Sequence, residues 1–356
     1  MPSFGRLARP IAALLVGAFL GGAAARAQEA AGGERDTVVP PLFASDSVLQ
    51  LVLRTDLREL MHNRDSLGDY RPASLIYSDA SGARVTLAAS VKARGHFRRQ
   101  RRNCQFPPVR VRLAKGTKGT VFAKQGTLKL VTPCWAGRAE YEQYVLAEYL
   151  LYRVYNLLTP VSFRARLIHI TFEDTTAKPR SPITTYAFFL EDDDAMAARN
   201  DGKILEAQGA TRDDLDRRHA DVVAFFEYLI GNTDWSMSAL HNIYLVQTSN
   251  GNVYPVAYDF DFSGAIDTPY ATPDSALPIK SVRQRLFRGY CVSPADLTPV
   301  VALFNGRRAA IYALYDSLPA LDRKVAERTR RYFDQFFKTI NDEGKLKGEV
   351  AQACRK

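Results

Sequence analysis

Four oxygen-bearing side chains, Asp234, Asn242, Asp259 and Asp261, stand at the edges of apolar runs within one short stretch of the chain. Asp234 and Asn242 precede Ile243-Tyr-Leu-Val246, and Asp259 and Asp261 follow Val253-Tyr-Pro-Val-Ala-Tyr258. Both runs read as strands. Strand ends that present Asp, Asn and Asp together can hold a base and divalent cations for phosphoryl transfer. Asp259 and Asp261 alternate with Phe260 and Phe262, so both carboxylates point to one side of an extended chain. Two hard oxygen donors on one side suit Mg2+ or Mn2+. Asp234 would orient or deprotonate an attacking hydroxyl. An Asp in that position equally caps a helix or turn; its neighbours Asn242 and Asp259 favour the chemical role.

Lys129 lies mid-strand in Leu128-Lys-Leu-Val131, and Glu148 lies on the apolar face of a long helix, beside Tyr144, Val145, Leu151 and Tyr152. A carboxylate in that setting is costly without a cation. Lys129 is a candidate partner, and such a pair could hold nucleotide phosphates. The competing reading leaves Lys129 in solvent and Glu148 at the helix edge, with Glu142 as an alternative carboxylate. Arg94 opens the basic run Arg94-Gly-His-Phe-Arg-Arg-Gln-Arg-Arg102. That run either covers phosphates or forms a solvated hairpin tip. Lys280, Arg283, Arg285 and Arg288 form a second cluster that would favour an acidic acceptor, or simply line a solvated face. Aromatic residues are not interleaved with these clusters, which argues against nucleic acid. His96 and His241 lack a second His at ligand spacing and read as structural or surface residues. The sequence has no serine-hydrolase elbow and no Walker-type loop.

Alternating patterns predict strands over 47–54, 84–94, 108–113 and 127–131, with Asp56 capping a short helix from Leu57. A long helix over 140–158 follows, then strands over 164–172 and 183–190. Leu215, Val222, Phe225, Phe226 and Leu229 give 211–230 a helical period. Beyond Pro294 the chain reads as helical to about Asn341.

Arg6 and Arg9 precede the apolar run 11–20, and Ala25-Arg-Ala27 supplies small residues for cleavage, so residues 1–27 read as a signal peptide. Residues 28–41 read as a disordered linker. No later segment is apolar enough for an integral membrane helix. The expected location is secreted or periplasmic. The formal charge of +10 includes Arg6, Arg9 and Arg26, so the mature excess is modest and suits an acidic partner. The 4 cysteines allow three pairings. Cys104 with Cys134 is favoured, because they flank an expected hairpin.

Taken in order, these pieces resemble the atypical kinases of the spore coat protein H (CotH) type, and more distantly HipA-like and protein-kinase folds. The resemblance covers about Val85 to Tyr270. It rests on Arg94-Gly95, Leu128-Lys129-Leu130, the helix with Tyr152-Arg-Val-Tyr155, and the strand ending Phe188-Phe-Leu-Glu191. The Asn-x-Asp…His-Asn and Tyr-Asp-Phe-Asp motifs complete it. It implies an α+β, two-lobed protein-kinase-like fold: a β-rich N-terminal lobe with one long helix over 42–190, and a mostly helical lobe over 191–356. It also implies Asp234 as the catalytic residue, Asn242 and Asp259 on the metal, Lys129 on phosphate and Glu191 at the adenine side. The departures are an eight-residue step from Asp234 to Asn242, Trp235 after the Asp, Asp261 in place of Gly, and no Gly-rich phosphate loop.

The expected function is transfer of the γ-phosphoryl of ATP, with Mg2+ or Mn2+, to a hydroxyl on an acidic protein or envelope molecule. Two alternatives remain open. One is a non-catalytic envelope binding protein, and the other a metal-dependent phosphoester hydrolase.

Overall fold

Seven strands close into a barrel whose order is not the order of the chain. The computed structural model describes residues 39–64 and 68–354. The signal peptide and nearly all of the linker expected from the sequence lie outside the described residues. The barrel strands are β1 (Leu49–Thr55), β2 (Arg71–Ser78), β3 (Arg84–Ala93), β4 (Val109–Leu113), β5 (Thr127–Val131), β6 (Ala165–Asp174) and β7 (Ile183–Leu190). They follow the circular order β1-β2-β3-β4-β5-β7-β6. All pairings are antiparallel except β1 with β6, which run parallel from Leu49↔Ile168 to Thr55↔Asp174.

This architecture corrects the two-lobed protein-kinase-like fold expected from the sequence. A closed mixed barrel with appended helices is a different arrangement. Alternation reveals that strands exist and which side of each is apolar, but it carries no signal for closure. The parallel seam joins segments more than a hundred residues apart, which only the finished tertiary structure specifies. Closure also removes the exposed sheet edges that an open β-rich lobe would have to protect.

Inward-facing residues fill the barrel, among them Leu53, Val91, Val111, Leu130, Ile170 and Phe189. A second core lies outside it. Here α2 (Ala139–Leu158) packs with α4 (Arg217–Ile230), α5 (Pro294–Asp316) and α6 (Arg323–Ile340). Strand β7 serves both cores, because Phe189 points into the barrel and Phe188 out towards α2. Between them the chain forms α1 (Leu57–His62), capped by Asp56, and α3 (Asp193–Ala198). A small sheet follows, with β8 (Gly202–Leu205), β9 (Ile243–Thr248) and β10 (Val253–Ala257) in the order β10-β9-β8. Among the described residues, no helix is long and apolar enough to cross a membrane.

Two disulfides are formed, Cys104–Cys134 and Cys291–Cys354. The first joins the turn after β3 to the segment after β5. The second ties the start of α5 to the C-terminal segment.

Candidate active site

Helix α4 ends at Gly231, whose φ of +66° is the left-handed conformation that glycine adopts freely. A Cβ there would collide with the Tyr332 hydroxyl, so the close packing against α6 also requires glycine. The chain then turns through Asn232, which is buried. Its side-chain carbonyl accepts the Asp234 N–H at 3.0 Å, and its backbone carbonyl accepts the Trp235 indole N–H at 3.1 Å. Asp234 is thereby aimed outwards. Asn242 closes the turn: its amide donates to the Asp234 backbone carbonyl at 2.7 Å and to Oδ2 at 3.2 Å.

Pairing of β9 with β10 sets Ile243 opposite Ala257, and Tyr258 N–H donates to Asn242 O at 3.1 Å. Asn242 and Asp259 are therefore neighbours at one end of the hairpin. Both have positive φ, +52° and +65°. Such backbone strain persists where the surroundings over-determine it, and it clusters at functional sites. Here the restraint comes from α2, since Asp259 N–H donates to the Tyr152 hydroxyl at 2.9 Å.

One cavity of about 330 Å³ gathers Asp234, Asn242, Asp259 and Asp261 on one wall and Arg94, Arg98, Lys129 and Glu148 on the other. Its size falls in the range of small-ligand sites. Glu191, expected at the adenine side, does not line it. That carboxylate is buried and held by the Arg199 Nε at 2.9 Å, by Arg164 at 3.7 Å and by the Arg164 backbone N–H at 3.1 Å. It staples β7 to the segment before β6, and its neighbour Leu190 faces the cavity instead.

The Lys129–Glu148 pair is corrected as well. Strand β5 sets Lys129 opposite Leu190 in β7. The acidic run that follows β7 then brings Asp193 onto the ammonium group, as the Lys129–Asp193 ion pair shows. Tyr244 Oη lies 3.3 Å from the same ammonium, and the rings of Phe163, Tyr244 and Tyr258 surround it at 5.1–5.7 Å. Burial lowers the Lys129 pKa, which Asp193 partly offsets.

Glu148 meets Arg98 instead, at 3.8 Å, and Arg98 also faces Asp261 at 3.6 Å. Arg98 is only 7% exposed and donates to the Thr132 carbonyl. The sequence marked the basic run around it without distinguishing Arg98 from its neighbours. Only the turn after β3, fixed by Cys104–Cys134, decides which arginine points inwards. Burial, and then the neighbouring Asp261, hold the Glu148 carboxyl well above the usual carboxylate range. Asp261 is pushed up to about 7 by burial and by Asp259, while it accepts from the Tyr270 hydroxyl at 2.9 Å.

The residues expected to hold a metal can be tested on their chemistry. Asn242 spends its amide N–H groups on Asp234, which leaves Oδ1 as an acceptor. The Asp259 carboxylate is exposed at the cavity. Burial, and then the charge of Asp259, disfavour the ionised form of Asp261, and a bound cation would favour it. Among the described residues, no cluster of three or more His, Cys, Asp or Glu side chains is placed to hold a metal alone. Two carboxylates and an amide are instead a set that phosphate oxygens and waters complete around Mg2+.

His241, read from the sequence as a structural or surface residue, faces the cavity. Its Nε2 lies 2.7 Å from Asp234 Oδ1, and this hydrogen bond raises the imidazole pKa. The eight-residue step from Asp234 to Asn242 makes room for this contact: Ser236 and His241 exchange both backbone hydrogen bonds and fold the turn back. The second basic cluster is largely occupied. Arg285 donates to the carbonyls of Tyr228, Leu229 and Tyr332, Arg283 donates to Gly264, and Arg288 donates to Thr233.

No protein-family model matches the chain, and no curated protein matches it in sequence.

Proposed function

We propose that this protein is a divalent-metal-dependent phosphotransferase that moves the γ-phosphoryl of ATP to a hydroxyl on an exported protein or envelope molecule. The observation that carries this reading is the two-sided cavity. Oxygen donors from the α4–β10 region meet cations from the barrel rim in a space of about 330 Å³. Arg94 lies in that rim among Asp259, Tyr152 and Glu148, and burial lowers its pKa. It is the cation best placed for nucleotide phosphate, because the Lys129 charge is already met by Asp193. Bound Mg2+ or Mn2+ would neutralise charge on the phosphates from Asn242, Asp259 and Asp261. Asp234 would orient the attacking hydroxyl. The order of these motifs resembles that of the CotH-type kinases. Two disulfides suit an oxidising, exported setting.

A non-catalytic binding protein is the second reading. It is favoured by the Lys129–Asp193 pair, which leaves that lysine little call for a phosphate partner. Intact mass after incubation with ATP and Mg2+ or Mn2+, with a generic acidic protein as acceptor, separates the two. Added phosphate that vanishes in Asp259→Ala supports transfer. Absence of phosphate, with no thermal stabilisation by nucleotide, supports the binding protein.

A further inference from the structure

A second cavity, of about 640 Å³, adjoins the first and shares Asp234, His241 and Phe262 with it. Its own wall adds Ser236, Thr272, Asp274 and Arg288. His241 therefore stands in the partition between two chambers. Its side chain is 57% exposed, so both spaces can reach the ring. A carboxylate can only accept, so a proton sits on Nε2, facing Asp234 at 2.7 Å, and in the neutral ring the lone pair is then on Nδ1. No partner for Nδ1 is found among the described residues. The His241 backbone is fixed as well, through the paired hydrogen bonds with Ser236. An imidazole fixed by a carboxylate through one nitrogen, with the other nitrogen free as a base, is the arrangement of a nucleophile.

Resting on the phosphotransfer reading above, we propose that His241 carries the phosphoryl group between the two cavities as a covalent phosphohistidine. The Nδ1 lone pair attacks the γ-phosphorus of a nucleoside triphosphate in the first cavity. The bond to the β–γ bridging oxygen breaks, and its electron pair leaves with the nucleoside diphosphate. The ring becomes positive while its Nε2 proton stays against the Asp234 carboxylate, which offsets the charge. A hydroxyl in the second cavity then attacks the phosphorus. The P–N bond breaks, its electrons return to Nδ1, and the hydroxyl proton passes to Asp234 and on to solvent. Donor and acceptor each have a chamber, and the group both chambers share does the transfer.

The test needs no acceptor. The full chain is incubated with ATP, Mn2+ and labelled ADP, and two quantities are read: label exchanged into ATP, and protein phosphate that is acid-labile and alkali-stable. Both are expected in the wild-type protein, with the phosphate mapped to His241 at neutral pH. Both should be lost in His241→Gln and strongly reduced in Asp234→Asn. Melting curves check that the variants fold; should they not, the wild-type exchange and mapping decide. Acid-stable phosphate on the protein, without exchange, overturns the phosphohistidine and leaves direct transfer standing. Absence of nucleotide binding and turnover overturns the phosphotransfer reading and this step with it.

Discussion

Arg98 is the residue on which the electrostatics of the cavity turn. It is buried and faces two carboxylates, Glu148 at 3.8 Å and Asp261 at 3.6 Å. Removing one partner of a buried charge set leaves the others uncompensated, at a cost of about 3–5 kcal/mol. Arg98→Met is therefore expected to lower stability by that order in urea unfolding. The loss should be larger at pH 8 than at pH 6, because protonation of the two carboxyls removes the charge the arginine balances. A loss below 1 kcal/mol at pH 8 would show that the three groups are not coupled. The four acidic-hairpin positions were readable in the sequence because β9 and β10 are adjacent in the chain, so local pairing alone brings Asn242 to Asp259. Arg98 was not readable, since nothing local distinguishes one arginine in a run of five. Asp193 was hidden in the same way within Glu191-Asp-Asp-Asp194, and only the β5–β7 register selects it.

At the scale of elements, α4 is clamped to β10 by His219, which donates from Nε2 to the Pro255 carbonyl at 3.0 Å. Burial lowers its pKa from 6.5 to about 4, so the folded state keeps the ring neutral. Between those two values the unfolded chain binds the extra proton. The contribution to stability is full above about pH 6.5 and is lost as pH falls towards 4, amounting to at most about 3 kcal/mol. His219→Gln should flatten that part of the stability–pH curve; an unchanged slope would place the acid sensitivity elsewhere. The Cys104–Cys134 bond spans a sequence separation of 30 and pins the turn carrying Arg98 to the end of β5. Replacing both cysteines with Ala should cost about 2–4 kcal/mol. It should also weaken nucleotide binding beyond what the stability loss explains, measured at a temperature where the variant is fully folded. Helices α2 and α4 and six of the seven barrel strands could be read from their sequence patterns. Strand β2 and the short β8 could not, being less regular in pattern.

The whole molecule is a barrel core and a helical core that share β7, with the cavity where the barrel rim meets the small sheet. Closure through the parallel β1–β6 seam is a property of the complete chain, which explains why local patterns led to an open two-lobed expectation. The two cores also explain the placement of Glu148: α2 buries an apolar face against both β7 and α5, and the one buried carboxylate of that helix lines the cavity. The central claim is that this cavity binds a nucleoside triphosphate together with a divalent cation. Titration calorimetry of the purified chain with ATP, with and without Mn2+, tests it most directly, with Asp259→Ala measured alongside. The account predicts binding that requires Mn2+ and weakens at least about tenfold, or 1.4 kcal/mol, in the variant. Binding that is indifferent to the metal and to Asp259, or no binding at all, would contradict it.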